Sequence, residues 1–165
     1  MTMEPMTLAQ LQADPRGVIR EALDWHPDLW WGGLFDWRME KGRALDDGTT
    51  PEQRLAIRRE ATLDDRGVEQ LLCAAEFIAQ APRIKSLNTK RASYGWKHVA
   101  ERYHKRHHPE ADYYVGEGAF IIAARAMGLT IRPTPLPGHY RVNLSEAAAV
   151  PFYPPGLIRS GRRAA

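Results

Sequence analysis

The sequence predicts a mainly α fold, a single compact helical domain with a short β-hairpin near 129–145. Three observations predict it. Helix-start signals recur along the chain, at Thr7, Asp14-Pro15 and Thr50-Pro51 among others. Apolar residues return at helical spacing between those signals. Strand-favouring residues gather in one stretch, the proline-interrupted run LTIRPTPLPGHYRVNLS at 129–145. A chain of 165 residues fits one domain and buries a core without covalent staples. The domain is expected to span 1–158, followed by a mobile basic tail at 159–165.

The elements follow in order. Thr7-Leu-Ala-Gln10 has capping-box spacing and opens a short helix. Asp14-Pro15 supplies an N-cap and a proline at the first helical position, ahead of Val18, Ile19, Ala22 and Leu23. Pro27 limits that helix. Residues 25–37 read WHPDLWWGGLFDW and hold four of the five tryptophans, interrupted by Gly32-Gly33. Two readings of this Trp-rich segment stand side by side. It is a stacking or partner-binding patch of Trp30, Trp31, Phe35 and Trp37, or it is a set of anchors pinning an irregular segment to the core.

Residues 40–49 read as an exposed loop. Thr50-Pro51-Glu52-Gln53 then starts a helix running to about Glu60, and Thr62 to Asp65 starts the next. Val68, Leu71, Leu72, Ala75, Ile78 and Ala79 give that helix an apolar stripe, and Pro82 ends it. Ser93 is expected to cap a helix from Tyr94 to about His107, with Trp96, Val99, Ala100 and Tyr103 inward and Pro109 as its stop. The helix from about Glu117 to Met127 is apolar nearly all round, so it belongs in the core, with Phe120, Ile121, Ala124 and Met127 buried. Gly128 ends it. In the hairpin that follows, prolines confine the strands to an edge. Ser145 can start one more helical turn.

Charge is distributed unevenly. The chain carries +3 overall, yet residues 1–65 hold 13 acids against 8 bases. Residues 83–108 hold eight bases (Arg83, Lys85, Lys90, Arg91, Lys97, Arg102, Lys105, Arg106) against one acid, Glu101, a net of +7. Four of the six histidines, His98, His104, His107 and His108, share the stretch. On a helical wheel Tyr94, His98, Glu101 and Lys105 gather opposite the Trp96–Tyr103 face, with Lys97 and Arg102 on the flanks. Several cations beside a helix start suit phosphates, and an exposed Tyr94 can stack on a base. The same stretch also fits a solvated face or an acidic protein partner.

Other classes find less support. The histidine spacing H-x5-H-x2-H-H matches neither zinc-finger nor HExxH patterns, so no metal site is expected. There is no Gly-rich phosphate loop, no G-x-S-x-G and no paired-carboxylate motif, so no cofactor and no dedicated catalytic residue is expected. A helix-turn-helix reading of 123–130 fails because Pro133, Pro135 and Pro137 fall where the second helix would lie. No apolar run approaches the roughly 20 residues that cross a bilayer, so no membrane partner is expected. A single cysteine, Cys73, fits a reducing compartment, and no signal-peptide pattern opens the chain, so the expected location is the cytoplasm.

The pattern S-Y-G-x-K-H at 93–98, Y-V-x-x-G-x-F-I-x-A-A-x-x-x-G-L at 114–129 and Tyr-Arg-Val-Asn-Leu-Ser at 140–145 resembles small uncharacterised accessory proteins of bacterial plasmids, integrative elements and phages. The resemblance covers 93–145, a third of the chain, and departs from the pattern at Trp96, where a smaller aliphatic residue is expected. It implies a mobile-element setting and carries no catalytic residues. The leading expectation is a non-enzymatic nucleic-acid-binding accessory protein using Lys90, Arg91, Tyr94, Lys97, His98, Arg102, Lys105 and Arg106. The alternatives are a protein-binding inhibitor or adaptor with an acidic or apolar protein partner, acting through the Trp-rich segment, and a small enzyme centred on Tyr94 and His98.

Overall fold

A computed structural model describes residues 4–41, 48–111 and 114–153. Among them are seven α-helices and two short antiparallel strand pairs, so the protein is mainly α. The tail expected at 159–165 lies outside the described residues, as does most of the loop at 40–49.

The first two helices begin where side chains satisfy their free N–H groups. Helix α1 (Leu8–Ala13) opens with a complete capping box between Thr7 and Gln10. Helix α2 (Pro15–Trp25) opens with Asp14 accepting from the Gly17 amide at 2.9 Å. The Trp-rich segment then forms a tight antiparallel pair, β1 (Leu29–Trp30) and β2 (Gly33–Leu34), a small sheet the periodicity does not foretell. Gly33 permits the turn, with φ at 134°. Helix α3 (Trp37–Lys41) follows, and α4 (Pro51–Ala61) starts with a second complete capping box, Thr50 with Gln53.

Helix α5 (Asp65–Gln80) is capped by Asp64, helix α6 spans Ser93–His107, and α7 spans Glu117–Ala126. Helix α7 is the centre of the molecule. All but one of its residues are buried, and α2, α5, α6 and the β1–β2 pair pack around it. Phe120, Ile121, Ala124 and Met127 are at most 3 % exposed, as the apolar sequence requires. Gly128, with φ 72°, ends the helix. One buried cluster runs continuously from Leu11 to Ala149 and includes Trp96, so the inward face read for α6 is correct.

The hairpin expected near 129–145 is β3 (Ile131–Pro133) paired with β4 (Tyr140–Val142), in register Ile131↔Val142. Pro133 lies in the outer strand, where a missing N–H is tolerated. The other edge of β4 is covered by the basic stretch 83–92 through bridges Arg83↔Leu144 and Ala92↔Arg141, so backbone hydrogen bonds order a segment without periodicity. Ser145 caps a single 3₁₀ turn, Glu146–Ala148. No helix among the described residues is long and apolar enough to cross a membrane.

Candidate nucleic-acid interface

Helix α6 displays the candidate residues. Ser93 does not cap it. Ala92 occupies the N-cap position, and Ser93 turns inward, donating to Glu117 Oε1 and accepting from the Tyr140 amide at 2.9 Å. Just upstream, Asn88 is the organising residue. Its Oδ1 accepts from the amides of Lys90 and Arg91 at 2.8 and 3.0 Å, and its Nδ2 donates to Leu144 O and Glu146 Oε1. An Asx-type turn thus aims Lys90 and Arg91 at the start of α6. Asn88 was missed in the sequence, although an asparagine two residues before a basic pair is the signal of such a turn.

Lys90, Arg102, Lys105 and Arg106 are exposed. Arg91 is half-buried, paired with Glu146 Oε2 at 3.2 Å and lying over the Trp96 and Tyr153 rings. Arg102 donates to Phe152 O at 3.0 Å and also lies over the Tyr153 ring, 4.0 Å from its centroid. A solvent-open cavity of about 660 Å³ follows the helix here, lined by His98, Glu101, Arg102, Lys105 and Tyr153. Tyr94 stands 52 % exposed beside it, edge-on to His98 at 4.9 Å.

Lys97 requires a correction. The wheel put it on an open flank, but the segment Tyr114–Gly116 covers that flank, and Lys97 is 4 % exposed. Its Nζ meets Glu101 Oε1 at 3.0 Å and Val115 O at 3.1 Å. It therefore cannot reach a phosphate without unfolding that flank. Glu101, the single acid of the basic stretch, is consumed by this arrangement. Its Oε1 also accepts from the Val115 amide at 3.1 Å, and its Oε2 lies 2.6 Å from His98 Nδ1.

The hydroxyl, carboxylate and imidazole of Ser93, Glu117 and His139 form a second network, with His139 Nδ1 2.8 Å from Glu117 Oε1. The carboxylate stands between the other two, so the imidazole has no contact with the hydroxyl that it would need to activate. Ser93 is fully buried and Glu117 is 6 % exposed. This network joins α6, α7 and β4, and neighbouring burial raises the Tyr140 phenol above its ordinary value.

The Trp-rich segment is committed largely to packing. Phe35 is 4 % exposed and so is core, not a surface contact. Trp30 and Trp31 are half-buried and edge-to-face, with Arg58 4.7 Å over Trp30. Trp37 Nε1 donates to Asp28 Oδ1 at 2.9 Å. A hollow of about 360 Å³ remains between Leu34, Phe35, Trp37 and the hairpin turn at Pro137-Gly138.

On the α5 side of α6, His104 and His108 stand one turn apart and meet Glu76. Burial pushes the His104 imidazole below the ordinary histidine value, against the upward pull of the Glu76 carboxylate. The i, i+4 pair was visible in the sequence, but the carboxylate comes from another helix. Comparison with family models, with curated proteins and with solved structures finds no match to this chain.

Proposed function

We propose that the protein is a non-enzymatic nucleic-acid-binding accessory protein of a bacterial mobile element, engaging phosphates along the exposed face of α6. The observation that carries this reading is the cavity lined by His98, Arg102, Lys105 and Tyr153, whose one acid is already satisfied internally. Lys90 and Arg106 extend the basic face beyond it, and Tyr94 offers an aromatic surface to a base. The mobile-element setting rests on the resemblance over 93–145.

Fluorescence anisotropy with single- and double-stranded oligonucleotides at two salt concentrations tests the reading. Replacing Lys90, Arg102 and Lys105 together with Ala should weaken duplex binding at least about tenfold. It should also reduce the slope of log affinity against log salt by about 2.7, for three lost phosphate contacts. Lys97→Met should leave that slope unchanged, because Lys97 acts within the fold. Absence of binding at low salt, or an unchanged slope in the triple variant, would remove the reading.

A second reading, a protein-binding inhibitor or adaptor, draws on the hollow beside Trp37 and Pro137. Leu136, next in the chain to Pro137 of that hollow, is 64 % exposed, which suits an apolar partner side chain. Loss of oligonucleotide binding with retained capture of a protein partner, abolished by Trp37→Ala, would favour it.

A further inference from the structure

The α5-facing flank of α6 carries a cluster that plays no part in the basic cavity. Glu76 Oε2 lies 3.4 Å from His104 Nδ1 and 3.4 Å from His108 Nε2, and the three ligand atoms lie within 4.8 Å of one another. Two lengths compete to explain these distances. A charge-assisted hydrogen bond would draw nitrogen and oxygen to about 2.7–2.9 Å. Donors on a tetrahedral metal, bonded at about 2.0–2.1 Å, stand about 3.3–3.4 Å apart along each edge. Both separations from Glu76 match the second length.

The ring nitrogens agree. His104 Nδ1 is buried and has no hydrogen-bond partner, in a residue only 9 % exposed. Such an atom costs free energy unless something binds it. It points at the one carboxylate oxygen that His108 also faces. His107, the next histidine along, is excluded by its own contacts. Its Nδ1 lies 2.8 Å from Tyr103 O, and its ring lies over Tyr103 at 4.1 Å between centroids.

Two imidazole nitrogens and one carboxylate oxygen are donors for zinc and its neighbours in the transition series. Calcium and magnesium would require a shell of oxygens. We propose that Glu76, His104 and His108 form a site for a zinc-class divalent cation, with a fourth position open to water or an anionic oxygen. The opening lies at His108, whose side chain is 50 % exposed and which borders a hollow of about 370 Å³ with Pro109, Glu110 and Ala111. A bound ion would tie the last turns of α5 to the end of α6.

Titration of the full, tag-free chain with Co²⁺, followed by Zn²⁺ competition, tests this. One equivalent of Co²⁺ should give the intense visible bands of four-coordinate cobalt, and one equivalent of Zn²⁺ should erase them. Glu76→Gln and His108→Ala alter a half-buried and an exposed position, so both should keep the wild-type circular dichroism. Each should lower metal affinity at least about tenfold and abolish the bands, whereas His107→Ala should retain them. Weak six-coordinate bands only, bands that survive in both ligand variants, or bands lost in His107→Ala would overturn the site.

Discussion

Glu40 illustrates how a single residue can escape a sequence reading. Its position, ahead of a charged and glycine-containing run, reads as exposed loop, yet it is 6 % exposed. Arg54, itself 7 % exposed, donates to Glu40 Oε2 at 2.8 Å and to the Glu40 carbonyl at 2.8 Å, while Arg58 donates to Oε1 at 2.9 Å. Both partners come from α4, so no local spacing announces them. Lys97 escaped for the same reason, because its cover comes from residues 114–116. Burial alone would push the Glu40 carboxyl up, but the hydrogen bonds and charges of Arg54 and Arg58 outweigh it and hold the group below its ordinary value of 4.5. The unfolded chain therefore binds the proton first on acidification. The stabilisation is complete above about pH 4.5 and is lost as pH falls further. Glu40→Gln should cost about 3 kcal/mol at neutral pH, since it leaves a buried guanidinium uncompensated. Urea titrations of wild type and variant across pH should show that gap narrowing below about pH 4.5. A gap that stays constant down to acid unfolding would contradict the assignment.

At the scale of elements, what could be read was what is written locally. The Thr7, Asp14 and Thr50 caps all form, because each side chain needs only its own first turn. The apolar sequence of α7 made it central, and Pro133 made β3 an outer strand. Ser93 looked equally like a cap, but Glu117 and the Tyr140 amide compete for its hydroxyl and win. The β1–β2 pair was invisible because its stabilisation is tertiary. The Trp31 carbonyl accepts from the Ala119 amide at 3.0 Å, and the turn lies directly on α7. Gly118 makes that approach possible. A Cβ there would stand 1.7 Å from Trp30 O and 2.8 Å from the Gly33 amide nitrogen, both backbone atoms that cannot swing aside. Gly118→Ala should improve helix propensity yet destabilise by about 3 kcal/mol. A denaturant midpoint equal to wild type would mean that the pair does not rest on α7 as described.

For the molecule as a whole, the sequence disclosed the fold class and the concentration of charge. It did not disclose which cations face outward. That depends on which flank of α6 the chain re-covers after Pro109, and on how β4 collects residues 83–92 along its edge. The central position of α7 has a further consequence, for the order in which the protein can be made. Helices α1, α2 and α5 all lean on one another or on a helix that follows them in the chain. Until residues 117–126 leave the ribosome, the faces of α2 and α5 that pack on α7 lack the helix that covers them. A chain truncated after Ala111 should therefore be digested rapidly by protease and show little cooperative unfolding, whereas one ending at Tyr153 should resist. Stable protection of the shorter chain would show that the amino-terminal helices close a core of their own.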